Sequence, residues 1–179
     1  MRWKIPFLVC LCLIVVPAFA DNSADHTTLQ QELHSFGVNE TIDWNVKPRK
    51  VAIYLDQQRV ISSIPNMQEM GLLNPDITQT TINLYPNAIS ITVATEMAVL
   101  KTIDAYSHSG IDEAVFSISL VVSDEYGHEQ TKPLFSYRFN RALNNRINWD
   151  NFQIGNLPKV ALGFRYSNWA MQNMEGFDK

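Results

Sequence analysis

Phe116, Ile118, Leu120 and Val122 alternate with Ser117, Ser119, Val121 and Ser123, and the alternation returns at Phe135, Tyr137 and Phe139. Successive side chains of a strand point to opposite faces, so a period of two marks a strand with one buried face. Asp124-Glu125-Tyr126-Gly127-His128 lies between the two runs. It is a polar turn with a glycine suited to positive φ. The chain must therefore build an antiparallel hairpin whose apolar face needs a second layer. That layer is supplied by helices or by another sheet.

The remaining segments point to helices as well as strands. Thr28-Leu29-Gln30-Gln31 fits a capping box, and Leu29, Leu33 and Phe36 recur at helical spacing before Gly37. Residues 38–49 read as a polar connection. Val51–Leu55 and Arg59–Ile64 are rich in β-branched residues, and with Asp56-Gln57-Gln58 between them they predict a hairpin. Pro65 and Asn66 end it, and a helical turn is expected over Met67–Leu72, before Asn74-Pro75. Thr80–Leu84 and Ile89–Val93 alternate around Tyr85-Pro86-Asn87 and predict two more strands. In Thr95–Tyr106 the residues Val99, Ile103 and Tyr106 share a helical face, with Thr95 as N-cap; a continuing strand is the alternative. A last helix is expected over Leu157–Phe164, with Pro158 in its first turn. The expected fold is one α+β domain, an antiparallel sheet with helices packed on one face.

The first twenty residues have the composition of a secretory signal peptide. Arg2 and Lys4 precede an apolar run from Ile5 to Val16, and Pro17-Ala18-Phe19-Ala20 supplies a helix breaker and an Ala-x-Ala cleavage site. The run is shorter than the roughly 20 residues needed to cross a bilayer. Val9 and Leu11 precede Cys10 and Cys12, where a lipidated cysteine needs a small residue, so no lipid anchor is expected. The expected organisation is a signal peptide over 1–20, a polar leader with a short helix over 21–49, and the α+β domain over 50–179. Cleavage near Ala20 removes both cysteines, leaving no disulfide in the exported chain. A chain of this size can bury enough apolar surface without one, which suits a bacterial periplasm.

Cleavage also removes two of the 14 basic residues, which leaves 12 against 18 acidic ones, a charge of about −6. That sign disfavours binding to nucleic acid over the whole surface. Arg138, Arg141 and Arg146 follow an aromatic strand, a mixture used by single-strand platforms. Arg138, however, alternates with the aromatics onto the opposite face, and ion pairs with Asp150 or Glu129 are the expected use of these cations.

Chemistry-bearing residues form no specific motif. His108 and Asp112 stand four apart, and Asp124, Glu125, His128 and Glu129 share a turn, but the spacing matches no zinc or calcium pattern. They are read as solvated turn residues, and no metal or cofactor is expected. There is no Gly-x-Ser-x-Gly elbow, and Asp112-Glu113 reads as the polar entry to a strand. The C-terminal quarter is different. Trp149, Phe152, Tyr166 and Trp169 lie among asparagines at 144, 145, 148, 151 and 168. Such rings anchor protein interfaces, or stack on a sugar, or cap the core of the sheet. The expectation is an exported, non-enzymatic periplasmic protein that binds other envelope proteins, such as an accessory subunit of a secretion or conjugation assembly. The alternative is a small envelope hydrolase or glycan-binding protein.

Overall fold

Asp56 decides the first half of the fold. Instead of turning the chain into a hairpin, its carboxylate Oδ1 accepts a hydrogen bond from the backbone N–H of Arg59 (3.1 Å) and caps a helix. In the computed structural model, which describes residues 31–174 apart from Asn74, Ser109 and the side chain of His108, the chain runs as follows. A helical turn over residues 31–35 (α1) leads into strands β1 (Val38–Asp43) and β2 (Arg49–Asp56). Helices α2 (Gln57–Glu69), α3 (Gln79–Leu84) and α4 (Pro86–His108) follow, then the hairpin β3 (Glu113–Ser123) and β4 (Glu129–Asn140). Short helices α5 (Arg141–Asn144) and α6 (Leu157–Val160), strand β5 (Leu162–Tyr166) and helix α7 (Asn168–Asn173) complete it. The signal-peptide residues, the start of the capping box and the last five residues lie outside the described part.

The five strands form one sheet in the order β1-β2-β3-β4-β5. The hairpin β3–β4 is antiparallel as the alternation requires, but the sheet is mixed rather than antiparallel, because β2 and β3 run parallel. A parallel pair needs a long crossover, and α2, α3 and α4 supply it. Three expected strands thus become helix. Arg59–Ile64 lies in α2, where Val60, Ile64 and Met67 are buried at helical spacing. Thr80–Leu84 is α3, capped by Thr78 Oγ1, which accepts from the N–H of Thr81 (3.2 Å). Ile89–Val93 opens α4, which starts at Pro86, where a missing N–H costs nothing. The hydroxyls that gave this stretch its β character bond back into the helix. Ser90, Thr92, Thr95 and Thr102 donate to the carbonyls four residues earlier at 2.7–3.0 Å. The helix expected at Thr95–Tyr106 is the second half of α4.

Two strands replace expected loop and helix. The polar connection at 38–49 holds edge strand β1, whose Val38, Glu40 and Ile42 are turned inward while Asn39, Thr41 and Asp43 are exposed. Gly37 makes the entry: at φ +83° it accepts from the N–H of Asp56 (2.9 Å), and a Cβ there would lie 2.7 Å from the Arg59 Cβ. The helix expected over Leu157–Phe164 stops at Val160, and β5 takes the remainder.

All buried strand residues share a face. Val51, Ile53 and Leu55 of β2, Phe116, Ile118 and Leu120 of β3, and Tyr137 and Phe139 of β4 are 0–2% exposed. Phe116 stacks on Tyr137 across the hairpin (centroids 5.0 Å apart, 8° between planes). A bulge gives β4 one extra residue opposite Ile118 and Ser119, so Leu134 and Phe135 are both buried. Helix α4 lies on this face. Tyr137 Oη lies 2.7 Å from Thr102 Oγ1 and donates to the Ala98 carbonyl (3.1 Å), and Tyr106 Oη donates to the Phe139 carbonyl (2.6 Å). Desolvation raises both phenol pKa values.

Candidate functional site

The four C-terminal rings are divided by the fold. Trp149 lies 5.9 Å from Phe139 and makes an edge contact with Phe152 (5.0 Å), and its Nε1–H donates to Asn144 Oδ1 (3.1 Å). Tyr166 packs against Phe135 (5.9 Å) and Phe164 (4.9 Å). Phe135 and Phe139 are four residues apart on β4, about 13 Å along a strand. The rings therefore flank the aromatic core of the sheet at two places rather than forming one platform. Phe152 is buried, while Trp149, Tyr166 and Trp169 are half-buried against the core.

The polar clusters resolve into structural contacts. Asp124 caps its own turn: Oδ1 accepts from the N–H groups of His128 (2.8 Å) and Tyr126 (2.9 Å), and Oδ2 lies 3.2 Å from His128 Nδ1. Those donors, His128 N–H first, hold its carboxyl below the usual range. Arg141 pairs with Asp112 (3.4 Å) and donates to the carbonyls of Tyr106 (3.1 Å) and Ile111 (2.7 Å), tying α4 to the start of β3. Arg138 pairs with Glu113 (3.5 Å). The expected partners Asp150 and Glu129 are therefore replaced by Glu113, which the hairpin register sets diagonally across from Arg138, and by Asp112 just before β3. Among the described residues, no group of three or more His, Cys, Asp or Glu is placed to hold a metal ion. No helix there is long and apolar enough to cross a membrane.

The surface that sequence reasoning did not assemble is the other face of the sheet. Cross-strand register aligns its side chains in rows. One row runs Thr41, Ala52, Ser117, Ser136, Arg165 from β1 to β5. A second runs Asp43, Lys50, Val115, Arg138, Leu162, and a third Asn39, Tyr54, Ser119, Pro133. Ser117, Lys50, Arg138 and Arg165 are exposed, and Ala52, Val115, Ser119 and Ser136 are only half-covered. At about 4.8 Å per strand the middle row spans close to 20 Å. Its three central members are Ala52, Ser117 and Ser136, so it forms a shallow trough between taller neighbours. No family model, curated protein or solved structure matches this chain. The site must be read from its own chemistry.

A solvent-facing sheet surface ordinarily carries long polar side chains. This one is low and weakly polar along β3, where Val115, Ser117, Ser119 and Val121 follow one another. Among these residues there are hydroxyls but no activated nucleophile or general base. The surface can make shape-complementary contact and donate hydrogen bonds, and Tyr54, Lys50, Arg138 and Arg165 add an aromatic ring and three cations. The signal in the sequence was the serine set of the alternation. It marked the face of β3, but the flanking strands were assignable only once β2 was placed beside it.

Proposed function

We propose that this is an exported periplasmic protein that acts by binding another protein of the cell envelope, without catalysing a reaction, as an accessory subunit of a secretion or conjugation assembly. The observation that carries the reading is the open sheet face, five strands wide, with small side chains at its centre. Protein interfaces combine a weakly polar centre with a polar rim and need about 800 Å² from each partner. Export is supported by the charged, apolar and Ala-x-Ala segments of the first twenty residues. The half-buried rings Trp149, Tyr166 and Trp169 are a second contact region of the same protein, and Phe152 supports them from within.

Filling the trough tests the reading. Ser117→Trp and Ser136→Trp should each abolish capture of a discrete partner from an envelope extract of the native host, while changing the melting temperature little. Capture that survives both substitutions would remove the sheet face from the account. Recovery of a mature N-terminus at Asp21, by mass spectrometry, tests export separately.

A further inference from the structure

The sequence treats the two edges of the sheet unequally. Strand β5 is a poor template for a further strand. It has five residues, with Gly163 at φ +60°, and its register against β4 shifts between Ser136 and Arg138. The part of β4 that β5 leaves uncovered carries Lys132 and Pro133, residues that discourage added pairing. Strand β1 has none of these devices. Its six residues pair with β2 in one unbroken register without Pro or Gly, and among the described residues no strand lies beyond it. The N–H of Asp56 donates to the Gly37 carbonyl (2.9 Å), and hydrogen-bonded pairs recur at every second residue of an antiparallel ladder. Asn39, Thr41 and Asp43 therefore bond to β2, while the N–H and C=O groups of Val38, Glu40 and Ile42 point away from it. An inward carboxylate such as Glu40 guards an edge when an added strand would bury it unpaired. Here Lys101, 4% exposed, already supplies its partner at 3.4 Å.

We propose that a second copy of this chain pairs with this edge, β1 against β1 antiparallel, about a two-fold axis at Thr41. Keeping inward residues opposite inward residues places the axis on a residue rather than between two. An axis on Glu40 sets the two Glu40 carboxylates opposite each other, and like charges directly opposite are destabilising. An axis on Asn39 or Ile42 shortens the overlap at one end of the strand. The Thr41 axis sets Thr41 opposite Thr41, Asn39 opposite Asp43 and Glu40 opposite Ile42, so each charged residue meets a neutral one. It also brings the outward backbone groups of Glu40 and Ile42 into register, and each strand donates to and accepts from the other, as in strand addition. The axis stands normal to the sheet, so both helical layers lie on one side and both serine-centred faces on the other. The pairing is short, well below the roughly 800 Å² per partner of a standard interface, so the dimer exchanges with monomer and is read by trapping it.

Disulfide trapping tests the register. Cys10 and Cys12 leave with the signal peptide; in an uncleaved chain both are replaced by serine. Single cysteines are then placed at the exposed positions Asn39, Thr41 and Asp43, and each variant is oxidised in a glutathione buffer and run on a non-reducing gel. Residues opposite each other in a non-hydrogen-bonded pair have Cα atoms about 4.5 Å apart, within the range of a disulfide. Thr41→Cys should therefore become a covalent dimer on its own. Asn39→Cys and Asp43→Cys should each stay monomeric, because their own copies lie about 13 Å apart along the strand. A mixture of Asn39→Cys with Asp43→Cys should link the one to the other. Failure of Thr41→Cys to dimerise would overturn the inference. Equal self-linking by Asn39→Cys, Asp43→Cys or a Ser62→Cys control on α2 would do the same, since it would show collision without register. Linkage of Thr41→Cys to a different protein of the envelope, and not to itself, would also overturn it and assign the edge to a foreign strand.

Discussion

Glu96 is the residue whose chemistry is least at ease in the fold. Its carboxyl is 2% exposed in the middle of α4, and Oε2 has no hydrogen-bond partner. Desolvation raises its pKa from the ordinary 4.5 to about 8. The folded state therefore keeps a proton up to about pH 8 that the unfolded state releases near 4.5. Between those values the unfolded state binds fewer protons, and stability falls as pH rises, by at most roughly 1.4 kcal/mol per unit. Urea unfolding at pH 5 and pH 8 should show this fall in the wild type and a much flatter response in Glu96→Gln. Equal pH dependence in the two proteins would contradict the burial of a protonated carboxyl. Phe152 makes a simpler case. Alanine there empties a packed site beside Trp149 and should cost about 3–5 kcal/mol of folding free energy in a denaturant titration. A cost below about 1 kcal/mol would mean that the ring is not core.

At the scale of elements, α4 governs the architecture. Every buried polar side chain among the described residues, Ser90, Glu96, Lys101, Thr102 and Asp104, belongs to it. Lys101, 4% exposed, reaches Glu40 of edge strand β1 at 3.4 Å, so an inward-pointing charge on the edge is held by a buried one on the helix. Glu40→Gln should cost about 3 kcal/mol because it strands the ammonium, whereas Glu40→Leu/Lys101→Met together should be nearly neutral. A double-mutant cycle checks this, and additive single costs would show that the pair is not coupled. The hairpin β3–β4 was legible because strict alternation has no helical reading. The helices α2, α3 and the start of α4 were not, because Thr, Val and Ile favour strands locally, whereas here the hydroxyls turn back onto the helix and α4 is buried on most of its circumference. Edge strand β1 was hidden by its polar alternate residues. The rings of the C-terminal tail could be read off the sequence, but only the fold shows that Trp149 and Tyr166 divide into two contacts on β4. The trough was half visible, since Ser117 and Ser119 could be placed on the open side of β3, but Ala52 and Arg165 join them only through pairings no local pattern encodes.

Taken as a whole, the described part of the molecule has two unlike sides. Helices and apolar strand residues occupy one side of the mixed sheet, and a low, serine-centred surface with three cations occupies the other. The central claim is that this second side meets a partner, and photo-crosslinking in the native envelope tests it most directly. A benzophenone side chain at position 117 should give one discrete adduct with another protein. The same group at Ser62 or Asn66 of α2, both exposed on the helical side and away from the C-terminal rings, should give none. Adducts from the helical positions with none from position 117, or no adduct from any of the three, would contradict the assignment of the sheet face as the binding surface.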